Sequence, residues 1–102
     1  MNKSPLSSEL KVACEIYHYN VLNEPIWFDK LFEFLSSVMN KKKVSTSIDT
    51  LFDWGILRAS YGETENGEKG RLLAISQETI PLIKELYEKY WKEERNLTTI
   101  LK

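Results

Sequence analysis

Apolar positions recur along this chain with two different periods, and the change of period divides it. Leu6, Leu10, Ala13, Cys14, Tyr17 and Val21 return at three- and four-residue spacing, which predicts an amphipathic helix over about 6–20. Ser4-Pro5 supplies a start for it, because proline suits the first helical position, and the run closes around residues 20–23. Pro25-Ile26-Trp27 then reads as a short extended stretch able to pair with later strands. Asp29 can open a second helix carrying Leu31, Phe34, Leu35 and Val38 on one face. Asn40, Lys41, Lys42 and Lys43 interrupt the pattern, and a third helix follows. At about 100° per residue, Val44, Ile48 and Leu51 share its narrow apolar back, while Thr46, Asp49, Thr50 and Asp53 lie opposite.

After Gly55 the period drops to two. Ile56, Leu57, Ala59 and Tyr61 are strand residues, as are Arg71, Leu72, Leu73, Ala74 and Ile75. Between them Gly62, Asn66, Gly67 and Gly70 mark a loop, and Asn66-Gly67 is the dipeptide favoured in a tight hairpin turn. Two strands joined this way make a β-ribbon directly after a helix. Residues 76–79 then offer capping side chains for a last helix beginning near Thr79, with Pro81 in its first turn. Ile80, Ile83, Leu86, Tyr87, Tyr90 and Trp91 form its apolar stripe, opposite Lys84, Glu85, Glu88, Lys89 and Lys92, and Leu97, Ile100 and Leu101 extend the apolar character.

Composition narrows what such a chain does. At 102 residues it predicts one domain, 1–102, with a core over about 6–76 and a C-terminal helix over about 79–95 with a short tail. No apolar run approaches the roughly 20 residues needed to span a bilayer, and no leader pattern opens the chain, so a cytoplasmic location is expected. Cys14 is the single cysteine and His18 the single histidine. An intrachain disulfide and a thiolate metal cluster are thereby excluded, and the usual general base is scarce. Cys14 falls on the buried stripe as a small hydrophobe. His18, between two tyrosines, reads as structural or solvated. Asp49 and Asp53 share a polar helix face as solvated carboxylates, and Gly67-Glu68-Lys69-Gly70 lacks the order of a phosphate loop. The expectation is a protein without cofactor or metal that is no enzyme. Phe52 and Trp54 flank the apolar back of the third helix and are expected to pack in the core.

Net charge is −1, so nucleic acid would have to be held by a local patch. Lys41, Lys42, Lys43 and Arg58 against Asp49 and Asp53 leave residues 41–58 at +2; Glu63, Glu65 and Glu68 against Lys69 leave residues 63–70 at −2. The third helix has an apolar back, a small polar front and lysines at its entrance, the build of a helix that reads DNA.

Helix, short strand, helix, helix, strand, strand, helix is the order of a winged helix-turn-helix. Residues 44–58, VSTSIDTLFDWGILR, resemble the recognition helix and wing entry of small prokaryotic regulators of the MarR, ArsR and PadR type, with Val44, Ser45, Ile48, Asp49, Leu51, Gly55, Ile56 and Leu57 in the family's places. Trp27-Phe28-Asp29-Lys30-Leu31 resembles the start of their second helix. The resemblance covers about residues 8–76. It implies an α+β, mainly helical fold: a three-helix core, a two- to three-stranded wing and an extra C-terminal helix. It also implies a homodimeric transcription regulator binding double-stranded DNA with residues of about 44–54 in the major groove. Lys41, Lys42 and Lys43 would meet phosphates. Ser45, Thr46, Asp49 and Thr50 would face base edges. Arg58, Lys69 and Arg71 would serve from the wing. Terminal helices commonly dimerise in such families, which assigns Tyr87, Tyr90, Trp91 and Leu97 to a subunit interface. Two features differ from the family pattern: the front of the third helix carries short hydroxyls, and the wing tip is acidic. The second suits an alternative, a winged-helix module that contacts a protein partner through its wing and last helix.

Overall fold

The computed structural model describes residues 6–63 and 69–101. Helix α1 spans Ser8–Val21, α2 Phe28–Leu35 and α3 Lys41–Asp53; strands β1 and β2 span Leu57–Glu63 and Lys69–Ile75. A 3-10 turn, Gln77–Thr79, leads into α4, Ile80–Leu86; a π-helical turn, Tyr87–Trp91, and α5, Lys92–Leu101, continue it. Three helices with a β-ribbon after the third, and a helix closing over them, make a winged helix.

Local chemistry sets most boundaries. Ser7 caps α1, its Oγ accepting from the Leu10 N–H at 3.2 Å. Ser4 and Pro5, the expected start, lie outside the described residues. Two helices end on the same device, a left-handed residue that lets two orphan carbonyls be satisfied. In α3 that residue is Gly55, at φ 75°: its N–H reaches the Phe52 carbonyl at 3.1 Å, and the Ile56 N–H reaches the Leu51 carbonyl at 2.9 Å. In α1 it is Asn23, at φ 58°, with Glu24 N–H donating to the Tyr19 carbonyl. Pro81 falls in the first turn of α4, where its missing N–H costs nothing.

The wing is a two-stranded antiparallel sheet with Leu57 opposite Ile75 and Tyr61 opposite Arg71. The extended stretch before α2 joins β2 through one backbone bond, the Leu73 N–H donating to the Ile26 carbonyl at 2.9 Å. Asn20 satisfies the same edge from α1: its Oδ1 accepts from the Ile75 N–H at 2.9 Å, and its Nδ2 donates to the Leu73 carbonyl at 3.4 Å. A side-chain amide thus takes the part of a third strand.

One core joins these elements, with Val12, Ile16, Leu31, Leu35, Val44, Leu51, Ile83 and Trp91 among its fully buried side chains. Two expected core positions are corrected. Val21 is 61% exposed, because α1 ends there and its buried face runs through Val12, Ala13, Cys14, Glu15 and Ile16. Trp54, expected in the core beside Phe52, is 57% exposed: it caps α3 where the chain turns away, while Phe52 packs against the core.

Candidate nucleic-acid interface

Helix α3 presents its polar side outward from a rigid mount. Asn40 caps it, accepting from the Lys43 N–H at 2.8 Å, and Val44, Ser47, Ile48 and Leu51 bury its back. Lys41, Lys42, Lys43, Ser45, Thr46 and Asp49 are exposed, and Thr50 is half-buried. The helix thus brings together seven of the residues expected to meet DNA. Two of the hydroxyls are already committed as donors: Thr46 Oγ1 donates to the Lys43 carbonyl at 3.2 Å and Thr50 Oγ1 to the Thr46 carbonyl at 3.0 Å. Toward a partner they therefore offer acceptor lone pairs and a methyl group, a narrower repertoire than a free hydroxyl has.

The three lysines occupy the first turn of α3, which carries no acidic residue. Cations there oppose the helix dipole, each at a cost of about 0.3–1 kcal/mol. Lys41 Nζ lies 6.0 Å from the centre of the Phe28 ring, and Lys43 Nζ lies 3.8 Å from Glu9 Oε2 on α1. Such a concentration of like charge at the positive end of a helix runs against local preference, and places where local rules are broken tend to be functional.

The wing divides its cations. Successive strand residues point to opposite faces, and directly opposed residues share one. Arg71 therefore shares a face with Tyr61, Leu57, Leu73 and Ile75, and its guanidinium lies 5.0 Å from the ring of Phe52 on α3. Arg58 belongs to the other face with Ser60, Leu72 and Ala74. Arg58 and Arg71, both expected to serve from the wing, thus lie on opposite faces of the ribbon, and Arg71 stands beside α3. Lys69 pairs with Glu63 in the register, but its side chain, like Glu65, Asn66, Gly67 and Glu68 of the tip, lies outside the described residues. Tyr61, which the sequence marked only as a strand residue, is 84% exposed opposite Arg71.

The residues expected at a subunit interface scatter. Leu97 is 55% exposed and Tyr90 half-buried against the core. Tyr87 is half-buried, its hydroxyl 2.8 Å from His18 Nδ1 and its ring 5.4 Å from that of Tyr17. Trp91 is corrected outright: it is fully buried within its own subunit, and its Nε1–H donates to Glu15 Oε1 at 2.9 Å. Eight residues of regular α-helix would leave Trp91 about 80° from Ile83, and the wider π turn brings it back toward the core.

Glu15, absent from the sequence reading, is the most unusual residue in the protein. It is fully buried; Oε1 also accepts from Arg95 Nε at 2.8 Å, and Oε2 has no hydrogen-bond partner. The Arg95 guanidinium lies 4.6 Å from the Phe34 ring centre and 6.0 Å from that of Tyr19. Burial works to lower the Arg95 pKa, and the hydrogen bond and charge of Glu15 overcome it, leaving it raised. Burial pushes the neighbouring Cys14 thiol up to about 12, with Glu15 and Glu94 adding to it, so this sulfur stays protonated and unreactive. His18 is held below 6.5, first by burial and then by the Arg95 charge. No other signal than a lone glutamate inside an apolar stripe marks this cluster in the sequence. Among the described residues, no three His, Cys, Asp or Glu side chains are grouped to hold a metal ion, and no helix is long and apolar enough to cross a membrane.

No family model matches the chain, and no curated protein does. Among solved structures it is similar to the circadian clock associated protein Pex from Anabaena, with a TM-score of 0.65 and 17% identity over 92% of this chain and 84% of that one. At that identity the likeness is one of fold. It supports the winged helix and leaves the kinship to MarR, ArsR and PadR regulators without sequence-family support.

Proposed function

We propose that this chain is a cytoplasmic, homodimeric transcription regulator that lays α3, residues about 44–54, in the major groove of double-stranded DNA. The observation carrying this is the entrance of α3, where Lys41, Lys42 and Lys43 are exposed at the positive end of the helix with no acidic residue in the turn. Phosphate would relieve the conflict between these cations and the helix dipole. Ser45, Thr46, Asp49 and Thr50 would then face base edges, where oxygen acceptors suit the amino groups of cytosine and adenine and the threonine methyls suit thymine. Arg71, held over Phe52, would meet the backbone beside the groove. Two subunits would read half-sites about one helical turn, or 10 bp, apart.

Fluorescence anisotropy against promoter duplexes tests this. Two or three phosphate contacts per subunit predict a log–log salt slope of about −2 to −3 per subunit. Replacing Lys41, Lys42 and Lys43 together by alanine should abolish the binding, and unchanged affinity in that variant would remove α3 as the contact surface. Mass measurement in solution tests the dimer. A second reading, a protein-docking module, is favoured by the exposure of Tyr61 on the wing and Leu97 on α5. Absence of duplex binding at low salt, with a partner protein copurifying, decides for it.

A further inference from the structure

Lys43 is the one lysine at the entrance of α3 that a carboxylate already engages among the described residues. Glu9, in the first turn of α1, brings Oε2 to 3.8 Å from Lys43 Nζ; the two side chains are 21% and 49% exposed. Both ends are anchored. The Lys43 N–H is tied to the Asn40 cap, and Glu9 follows the Ser7 cap of a helix whose next residues enter the core. Helix α1 also carries Glu15, whose bonds to Trp91 and Arg95 fasten it to the C-terminal helices, so Glu9 does not drift with a loose end.

We propose that Glu9 limits the DNA affinity of this protein by competing with backbone phosphate for Lys43. This rests on the DNA-binding reading above. In the free protein the carboxylate neutralises one of three entrance cations, so a phosphate approaching Lys43 must displace Glu9 and then sits beside its negative charge. Lys41 and Lys42 meet no such competitor on α3, whose first turn has no acid. The effect falls on all duplexes alike, because phosphate contacts carry no sequence information. Glu9 thereby lowers specific and non-specific affinity by the same factor, leaving the base-facing front of α3 and the specificity ratio unchanged.

The test is a double-mutant cycle on the full-length protein, with anisotropy on a fluorescein-labelled random-sequence duplex of ~20 bp, about two helical turns. Glu9→Gln should tighten binding about two- to fivefold, the range open to an exposed ion pair. It should also steepen the salt slope by up to ~0.9, one further counterion per subunit. In a Lys43→Gln background the same substitution should change little, and Glu9→Asp, which withdraws the carboxylate by one methylene, should fall between Glu9 and Glu9→Gln. Circular dichroism of each variant confirms that it is folded. Equal tightening in both backgrounds would show that Glu9 acts through the general field and overturn the proposal, as would no tightening at all. If the unaltered protein binds no duplex at low salt, the DNA-binding reading falls and this inference with it. Binding that is indifferent to Glu9 overturns this inference alone.

Discussion

Replacing Glu15 by methionine probes the feature on which the C-terminal helices depend. The side chain is fully buried and one oxygen serves two donors, Trp91 Nε1–H at 2.9 Å and Arg95 Nε–H at 2.8 Å. Methionine matches its length and fills its volume, so little of the effect comes from a cavity. What changes is that the Arg95 guanidinium, half-buried over Phe34, loses the charge and the hydrogen bond of Glu15, and the Trp91 indole loses its acceptor. Breaking a buried pair from one side costs about 3–5 kcal/mol. A domain of this size has about 5–15 kcal/mol in total, so the variant should be severely weakened yet mostly folded at 20 °C unless the parent lies near the low end. With a urea m-value of about 1.5 kcal/mol/M, the unfolding midpoint should fall by ~2–3 M. Arg95→Met should cost a similar amount for the converse reason, because it leaves the carboxylate inside the core with the indole alone. The double variant Glu15→Met, Arg95→Met decides the matter. Removing both charges eliminates the uncompensated partner, so its loss should be well below the sum of the two single losses, with the unpaired indole N–H as the main residue of about 1–3 kcal/mol. Losses below 1 kcal/mol in the Glu15→Met variant, or strict additivity in the double, would refute the assignment of Glu15 as a buried, paired charge.

Three further outcomes follow from single residues. The folded-state pKa of His18 lies below its unfolded value of 6.5, so the unfolded chain binds the proton more readily; stability should be full above pH 6.5 and fall as pH drops through 6.5 toward the folded-state pKa. Thermal midpoints measured from pH 8 to pH 5 should show this fall, and His18→Gln should flatten it in that window. Gly55→Ala should cost about 1–2 kcal/mol purely through the backbone, because φ is 75° and an added Cβ would meet no atom within 4 Å; Gly55→Asn should recover part of the loss in the same denaturation assay. Ser47, buried on the back of α3 with a hydroxyl that has no partner, should tolerate alanine at no loss or gain about 1 kcal/mol in urea unfolding. A loss above 1 kcal/mol would mean that its hydroxyl is bonded after all.

The order of elements was legible because each element declares itself within a few residues. The period of Val44, Ile48 and Leu51 reports the buried back of α3, Gly55 its left-handed end, and the shift to alternation the wing. The polar front of α3 was legible for the same reason, since what faces away from a buried stripe is exposed. Less of the wing could be read. Alternation tells which residues share a face within one strand, whereas the register that separates Arg58 from Arg71 depends on how two strands slide past each other.

By itself, then, the chain determined its helices, its hairpin and the exposed lysines of α3, all of them consequences of neighbours no more than a turn apart. Tertiary structure alone decided the rest. Asn20 completes the edge of β2 some 55 residues away, and Trp91 turns inward because Glu15, 76 residues earlier, needs a donor in the core. Glu15 in turn is tolerable there only because Arg95, 80 residues later, arrives to pair with it. Periodicity measures the apolarity of a face, and a buried charge looks like an error on that scale until its partner comes from the far end of the chain.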